Sequence, residues 1–164
     1  MKGIFCAFNL RKFNKLVFYI LTPLIVGSIA ASVIGDAAGF YDTLAKPAVS
    51  PPVWLFVPCW TVMFVLMGTA AFLAGDSYAD QATKRRGRTL YYAQLAANFM
   101  WPIIFFRARN FGFAFAWVVL LLVLVVAVTV TFYDMRRRAG WLMVPYLAWA
   151  AYAGYLNYII WMLS

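Results

Sequence analysis

Hydrophobic residues fill five long intervals of this chain that contain no charged residue. The intervals are residues 16–35, 47–75, 89–106, 110–133 and 139–164. Each is long enough to cross the hydrocarbon layer of a bilayer, about 30 Å thick, as a helix. They are continuous runs of Ala, Val, Leu, Phe and Trp, without the polar alternation of a transmembrane β-strand. The pattern predicts an all-α membrane protein that folds as a five-transmembrane-helix bundle.

The same pattern sets the predicted organisation of the chain. A basic N-terminal segment, residues 1–15, precedes a single transmembrane domain, residues 16–164, with a lid-like loop at 36–52. The spans are predicted at about 16–35, 53–75, 89–106, 111–133 and 140–162. The first could instead be a cleaved signal peptide, because a basic flank and small residues surround its apolar run. Its full spanning length favours a retained helix.

Composition and charge agree with a protein that crosses the membrane several times. Hydrophobic residues make up 66% of the chain, charged residues 12%, and the mean hydropathy is +0.81. With five spans, 11 of the 14 cations fall on one side and only Lys46, Arg107 and Arg109 on the other. Because Lys and Arg are retained on the cytoplasmic side, this predicts a cytoplasmic N-terminus and an outside C-terminus. The net charge of +9 is divided among short loops, so no nucleic-acid partner is predicted.

The ionisable residues limit the chemistry that the membrane domain can perform. The chain has no His and no Glu, and its five Asp residues all lie in loops or at span ends. Cys6 and Cys59 are predicted on opposite sides of the membrane and should not pair. We therefore predict no catalytic residue, no metal site and no required cofactor.

The third predicted span carries polar and aromatic residues on a single face. Tyr91, Gln94, Asn98, Trp101 and Phe105 recur at three- and four-residue spacing, which places them together on a helix. Amides within a bilayer need partners, and these are either neighbouring helices or a ligand or water in an internal cavity. Both explanations remain open from the sequence.

Two other spans add large rings next to small residues. Trp60 and Phe64 lie one turn apart in the second span, and Trp149 and Ala153 share a face of the fifth. A hollow lined by indoles and amides suits a flat, conjugated, mostly apolar ligand. By contrast, the tryptophans near span ends are interpreted as interfacial belt residues. They are Trp54, Trp117 and Trp141.

The loop between the first two spans is stiff and partly aromatic. It contains Phe40-Tyr41 and then Pro47, Pro51 and Pro52, of which the last two suit the first turn of the next helix. Such a loop can cover the mouth of a helix bundle as a lid or serve as a plain connector.

These motifs, in this order, resemble the tryptophan-rich sensory protein / translocator protein family over about residues 19–161. The resemblance rests on Tyr41, Lys46-Pro47, Pro51-Pro52, Trp60, Gln94, Asn98, Trp101, Phe105-Phe106, Pro145 to Trp149 and Leu156-Asn157-Tyr158. It implies a five-helix bundle, usually a homodimer, whose cavity is closed by the first loop. Members bind porphyrins, including protoporphyrin IX and haem. The expected location is a bacterial inner membrane, with the outer mitochondrial membrane as the eukaryotic counterpart. Ala93 and Ala97 form a small-xxx-small pair that weakly supports a dimer contact.

Carried over by position, the resemblance implies a ligand-binding set in this chain. The set is Tyr41, Pro47, Trp60, Phe64, Gln94, Asn98, Trp101, Phe105, Trp149 and Ala153. Lys46, Arg107 and Arg109 are candidate rim cations for ligand carboxylates, with membrane anchoring as the alternative role. Phe40 and Val49 stand where many members have Trp. The lid therefore lacks indoles to which light-driven oxidation has been attributed in the family, and the resemblance does not imply that chemistry here. The cholesterol-binding motif proposed for the family needs a basic residue shortly after its tyrosine. Tyr158 is followed by no basic residue, so cholesterol binding by this motif is not supported.

Three functional classes remain open from the sequence. The preferred one is a membrane sensor or regulator that binds tetrapyrroles. A transporter of porphyrins or other hydrophobic molecules is the first alternative, although the chain shows no inverted repeat of the kind that many carriers have. A light- or oxygen-dependent enzyme that degrades porphyrin is the second.

Overall fold

The computed structural model describes residues 10–164, so the predictions for Cys6 and for most of the basic N-terminal segment lie outside it. This part of the chain is all-helical. Its helices are α1 (Leu10–Ile34), α2 (Ala37–Thr43), α3 (Phe56–Gly75), α4 (Gln81–Pro102), α5 (Phe111–Met135) and α6 (Arg137–Leu163). A 3₁₀ turn at Val53–Leu55 leads into α3, and a π-helical turn at Ile103–Arg107 extends α4.

Three helical segments in the described residues are long and apolar enough to cross a membrane. They are Leu10–Ile34, Val53–Gly75 and Phe111–Met135. Helices α4 and α6, with 22 and 27 residues, are also long enough, but α4 begins with a cationic turn and α6 contains several Trp and Tyr residues, which lower their mean hydropathy. The prediction of a helical membrane protein is confirmed, while five spans remain a prediction.

Helix α4 begins well before the predicted span because Asp80 caps it. The Asp80 carboxylate accepts hydrogen bonds from the backbone N–H groups of Ala82 and Thr83, at 2.9 and 3.0 Å. It also accepts one from the Thr83 hydroxyl at 2.6 Å. These bonds, the hydroxyl contact foremost, lower the pKa of Asp80 below its ordinary value. The charged turn before residue 89 is therefore helical.

A glycine lets α1 and α3 approach closely. A Cβ at Gly68 would collide with the backbone of α1 at Tyr19 and Ile20. Backbone atoms cannot move aside as a side chain would, so the two helices would have to separate.

We expect Gly68→Ala to lower the free energy of unfolding by about 2 kcal/mol or more, in the range of overpacked cores. Gly154→Ala is the matched control, because a Cβ there meets only Val118 and Leu122 side-chain atoms at 3.4 Å or beyond. The measurement is the unfolding of the purified proteins in detergent followed by circular dichroism. Equal stability of the two variants would contradict this account of the α1–α3 contact.

Helices α5 and α6 form a tight antiparallel pair. Only Arg136 separates them, and its backbone is extended, with φ −161° and ψ 114°. A Cβ at Gly140 would collide with Tyr133, so the first turn of α6 lies directly against the last turns of α5.

The predicted dimer pair on α4 is split between the core and the surface. Ala97 is buried inside the protomer, where its carbonyl oxygen accepts a hydrogen bond from Trp117 Nε1 at 2.9 Å. Ala93 is exposed. The pair is therefore not a continuous outer surface, and Trp117 is a packing residue instead of the interfacial residue that its position suggested. Trp54 and Trp141 are exposed, as belt residues are.

Candidate ligand-binding cavity

A cavity of about 410 Å³ lies among α1, α2, α3 and the end of α4. Its wall contains five of the predicted ligand-binding residues together with small and apolar residues from α1 and α3. The predicted residues in the wall are Tyr41, Trp60, Phe64, Asn98 and Trp101. The others include Gly27, Ser28, Ala30, Ala31, Ile34, Asp36, Val53, Phe56, Val57, Thr61, Pro102 and Phe106.

Aromatic rings from two helices form one side of this cavity. The Trp60 and Phe64 rings lie 5.6 Å apart at an interplanar angle of 33°, one turn apart on α3 as predicted. Trp101 contributes from α4. Small residues of α1, among them Gly27 and Ala30, are also part of the wall, and the Phe64 ring packs directly on Gly27. A wall of aromatic rings and small side chains suits a flat apolar ligand.

The two amides of α4 have protein partners on α6. The Tyr146 hydroxyl donates to Gln94 Oε1 at 3.0 Å and accepts from Asn98 Nδ2 at 2.9 Å. Gln94 is completely buried, and its amide nitrogen approaches Met67 Sδ at 3.2 Å. Hydrogen bonding between helices therefore accounts for Gln94, which lies outside the cavity wall. Asn98 has two roles, because it donates a hydrogen bond to Tyr146 and also lines the cavity.

Trp101 is held in place by a second polar contact between helices. Its Nε1 donates to Asn157 Oδ1 at 3.0 Å, and Asn157 Nδ2 donates to the Phe111 carbonyl at 3.0 Å. The indole thus has a fixed orientation at the cavity. Its hydrogen-bonding group is already used, so it offers a ligand its ring face.

Beyond Trp101 the π-helical turn changes which phenylalanine faces the cavity. The N–H of Ala108 bonds to the carbonyl of Ile103, five residues earlier, at 3.0 Å. With this wider turn, Phe106 lines the cavity, whereas Phe105 is buried in a separate apolar cluster with Tyr41, Ile104, Ala114 and Ile160. Phe105 was predicted to line the pocket and instead packs behind it.

Trp149 forms a second layer behind the wall. Its ring makes edge contacts with Trp60 and Phe56, at 6.4 and 6.3 Å between centroids. Its Nε1 is buried and has no hydrogen-bond partner among the described residues. Neither Trp149 nor Ala153 is part of the cavity wall. Trp149 thus supports the position of Trp60.

The loop between the first two spans lies over the cavity and is anchored at several points. Tyr41, on α2, is buried with its ring edge on Phe56 at 5.1 Å. The pKa of Tyr41 is raised, mainly because its hydroxyl is buried. The nearby Ser50 hydroxyl lowers this pKa in part, although the two hydroxyls do not form a hydrogen bond. Further along, Tyr152 on α6 donates to the Val49 carbonyl at 2.6 Å. Pro47 is half-buried in this loop and lies outside the cavity wall.

The candidate rim cations also lie outside the cavity wall. Lys46 Nζ donates to the Tyr41 carbonyl at 2.7 Å, lies 3.4 Å from an Asp42 carboxylate oxygen, and sits over the Tyr41 ring at 4.2 Å. Arg109 is stacked over Phe40 at 4.5 Å. Arg107 is exposed. Two of the three cations are thus engaged by the loop between the first two spans.

Sequence reasoning missed the contribution of α1. The signal was present, since Gly27, Ser28, Ala30 and Ala31 place small side chains on consecutive turns of the first span. No aromatic or amide side chain of α1 lines the cavity, so only the packing against α3 reveals its role.

A helical membrane protein with an aromatic-walled cavity between its helices is the class that the fold and the site define. The model of the TspO/MBR family matches residues 18–162. The chain is 34% identical over 149 residues to the translocator protein of Sus scrofa, an alignment that covers 88% of this chain and 87% of the relative. It is 36% identical over 125 residues to tryptophan-rich protein TspO of Chlorobaculum tepidum, an alignment that covers 76% of this chain and 78% of the relative. It is 31% identical over 135 residues to protein CrtK of Rhodobacter capsulatus, an alignment that covers 82% of this chain and 84% of the relative.

The chain belongs to the TspO/MBR family, and the resemblance found in its sequence is confirmed.

Proposed function

We propose that this protein binds a tetrapyrrole such as protoporphyrin IX or haem in the cavity between α1, α3 and α4 and acts as a sensor or regulator of porphyrin metabolism. The observation that carries the proposal is the cavity itself, with Trp60, Phe64 and Trp101 in its wall. Its volume of about 410 Å³ lies within the range of small-molecule pockets, about 300–1,000 Å³.

The charges near the cavity suggest how an acidic ligand would be oriented. Asp36 is part of the wall, so the carboxylates of a porphyrin are expected to point away from it. If Lys46 is to meet those carboxylates, it must leave the Tyr41 carbonyl and Asp42. Binding that moves Lys46 would then loosen the loop that follows α2, which is a route by which occupancy could reach a partner protein.

Membrane placement and assembly are part of the same proposal. We propose five spans, with α4 and α6 crossing the bilayer beside the three more apolar helical segments, and an N-terminus in the cytoplasm. A bacterial inner membrane and a homodimer are the corresponding location and assembly. The homodimer rests on family membership. The Ala93/Ala97 pair does not support it, because Ala97 is buried within the chain.

We expect Trp60→Ala to weaken porphyrin binding about tenfold, because the ligand loses an aromatic face as well as buried area. Trp54→Ala is the matched control, since Trp54 is 71% exposed and outside the cavity wall. The measurement is a protoporphyrin IX titration followed by porphyrin absorbance, which does not depend on the tryptophan removed. Unchanged affinity in Trp60→Ala would place the ligand elsewhere.

A sealed-vesicle assay separates binding from transport and turnover. The reconstituted protein is expected to retain porphyrin without moving it across the bilayer, and to leave it chemically unchanged in the dark and in light. Net flux that depends on the protein would favour a transporter, and loss of the porphyrin absorbance under illumination would favour an enzyme.

A further inference from the structure

A second, smaller cavity lies at the other end of the bundle. It has a volume of about 150 Å³ and lies among α1, α3, α4 and α5. The ligand cavity is lined where α1 ends and α3 begins, whereas this one is lined where α3 ends and α4 begins. The two cavities therefore face opposite sides of the membrane, and the smaller one faces the side that the cations mark as cytoplasmic.

The polar wall of this cavity contains only hydrogen-bond donors and amphoteric groups. Lys84 and Arg88 come from the first turns of α4, Gln81 from its start, and Tyr19 and Tyr91 from α1 and α4. No carboxylate from the described part of the chain is part of the wall. Such a set is complementary to an anion, which accepts hydrogen bonds and neutralises charge.

Two nearby carboxylates are occupied by other groups, and Asp134, next to the wall residue Met135, is exposed and lies outside the wall. Asp76 pairs with Lys12 at 3.0 Å, and Asp80 caps α4 through Ala82 and Thr83. Lys84 and Arg88 form no ion pair within residues 10–164. Two adjacent cations without a counter-charge, beside a hollow, favour an anion from outside the protein.

Tyr91 provides an independent indication of a ligand. The residue is 1% exposed, and its hydroxyl is buried with no hydrogen-bond partner among residues 10–164. A buried hydroxyl without a partner is costly and is rarely left so in a native structure. Tyr91 also belongs to the cavity wall, so a bound anion that displaces the side chains covering this hydroxyl would give it an acceptor.

The geometry points to a phosphate-binding site, and we infer that this pocket binds a phosphate group on the cytoplasmic side. A liquid-water molecule takes about 30 Å³, so 150 Å³ has room for a group of about five non-hydrogen atoms such as phosphate. Arg presents a planar fork that matches phosphate oxygens, while Lys adds a compact charge. Basic pockets between transmembrane helices on the cytoplasmic side are a common form of site for anionic lipid head groups. Such a lipid and free phosphate carry the same group, and the two arms of the test distinguish them.

The test compares lipid binding by native mass spectrometry of the detergent-purified full chain. Phosphatidylglycerol is titrated against phosphatidylcholine with the same acyl chains. We expect the double variant Lys84→Gln/Arg88→Gln to lose about tenfold in phosphatidylglycerol affinity, since each cation contributes severalfold. Arg85→Gln/Arg86→Gln is the matched control, because it removes the same charge from the same turn without touching the pocket. Its affinity is expected to fall less than about twofold.

A second variant and a second ligand complete the test. Tyr91→Phe keeps the ring and the charges, and is expected to weaken the binding about threefold by removing one donor. Inorganic phosphate is titrated in parallel and followed by thermal stabilisation. Stabilisation that Lys84→Gln/Arg88→Gln abolishes would assign the pocket to free phosphate, whereas selective retention of phosphatidylglycerol alone would assign it to a lipid.

The proposal fails if the two double variants lose phosphatidylglycerol affinity to the same extent. It also fails if the binding of phosphatidylglycerol and the binding of inorganic phosphate are both unchanged when Lys84 and Arg88 are replaced. Porphyrin binding at the opposite end of the bundle verifies that each variant is folded, and it is measured separately from the phosphate site.

Discussion

Filling the larger cavity with Ala30→Phe is expected to reduce porphyrin affinity about a hundredfold. Ala30 is 5% exposed and lines the cavity, so a larger side chain at this position occupies space that the ligand needs. An aromatic side chain covers at least about 150 Å² of contact surface, and losing even part of that area, at about 25 cal/mol per Å², gives this magnitude. The measurement is the protoporphyrin IX titration used for Trp60→Ala.

The control for this substitution is Ala96→Phe. Ala96 is exposed on α4 and does not line the cavity, so the same added ring should leave affinity unchanged. Thermal unfolding of both variants verifies that the added volume has not disrupted the bundle. If Ala30→Phe binds porphyrin as tightly as Ala96→Phe, the ligand does not occupy this cavity.

Removing the Tyr146 hydroxyl is expected to destabilise the protein by about 2 kcal/mol. Tyr146→Phe leaves Gln94 Oε1 without its donor and Asn98 Nδ2 without its acceptor. Hydrogen bonds between transmembrane helices contribute only about 0.6 kcal/mol on average, but an orphaned buried group costs about 1–3 kcal/mol. Gln94 is fully buried, so water cannot replace the lost partner, whereas Asn98 borders the cavity.

Tyr155→Phe is the matched control for the loss of a hydroxyl from α6, since Tyr155 is 48% exposed. Unfolding by sodium dodecyl sulfate in mixed micelles gives the free energies. Gln94→Leu combined with Tyr146→Phe should recover part of the loss, because removing both partners leaves fewer buried groups unsatisfied. Equal stability of Tyr146→Phe and Tyr155→Phe would show that the network contributes nothing measurable.

The sequence predicted the helices and the aromatic side of the cavity because both depend on local pattern. Trp60 and Phe64 are one turn apart on a regular α-helix, so they share the face that helical spacing assigns to them. The same reasoning failed for Phe105. Four residues after Trp101 is the same face only on a regular helix, and the wider turn after Pro102 places Phe106 there instead.

Contacts between distant parts of the chain were beyond the reach of pattern. Trp149 was placed in the pocket by resemblance, but whether it touches a ligand or supports Trp60 depends on how α6 packs against α3. The partner of Gln94 likewise lies 52 residues away. Sequence spacing establishes which side chains share a face, and packing decides what that face meets.

The single-residue link between α5 and α6 has a consequence for how the protein enters its membrane. Arg136, Arg137 and Arg138 lie together at the tip of this pair, and three arginines resist translocation across the bilayer. Two antiparallel helices joined so tightly contact each other at short sequence separation, so they can associate early. If α6 spans the membrane as proposed, the last two helices should therefore insert as one hairpin, with the arginines as its fixed end, instead of one after the other.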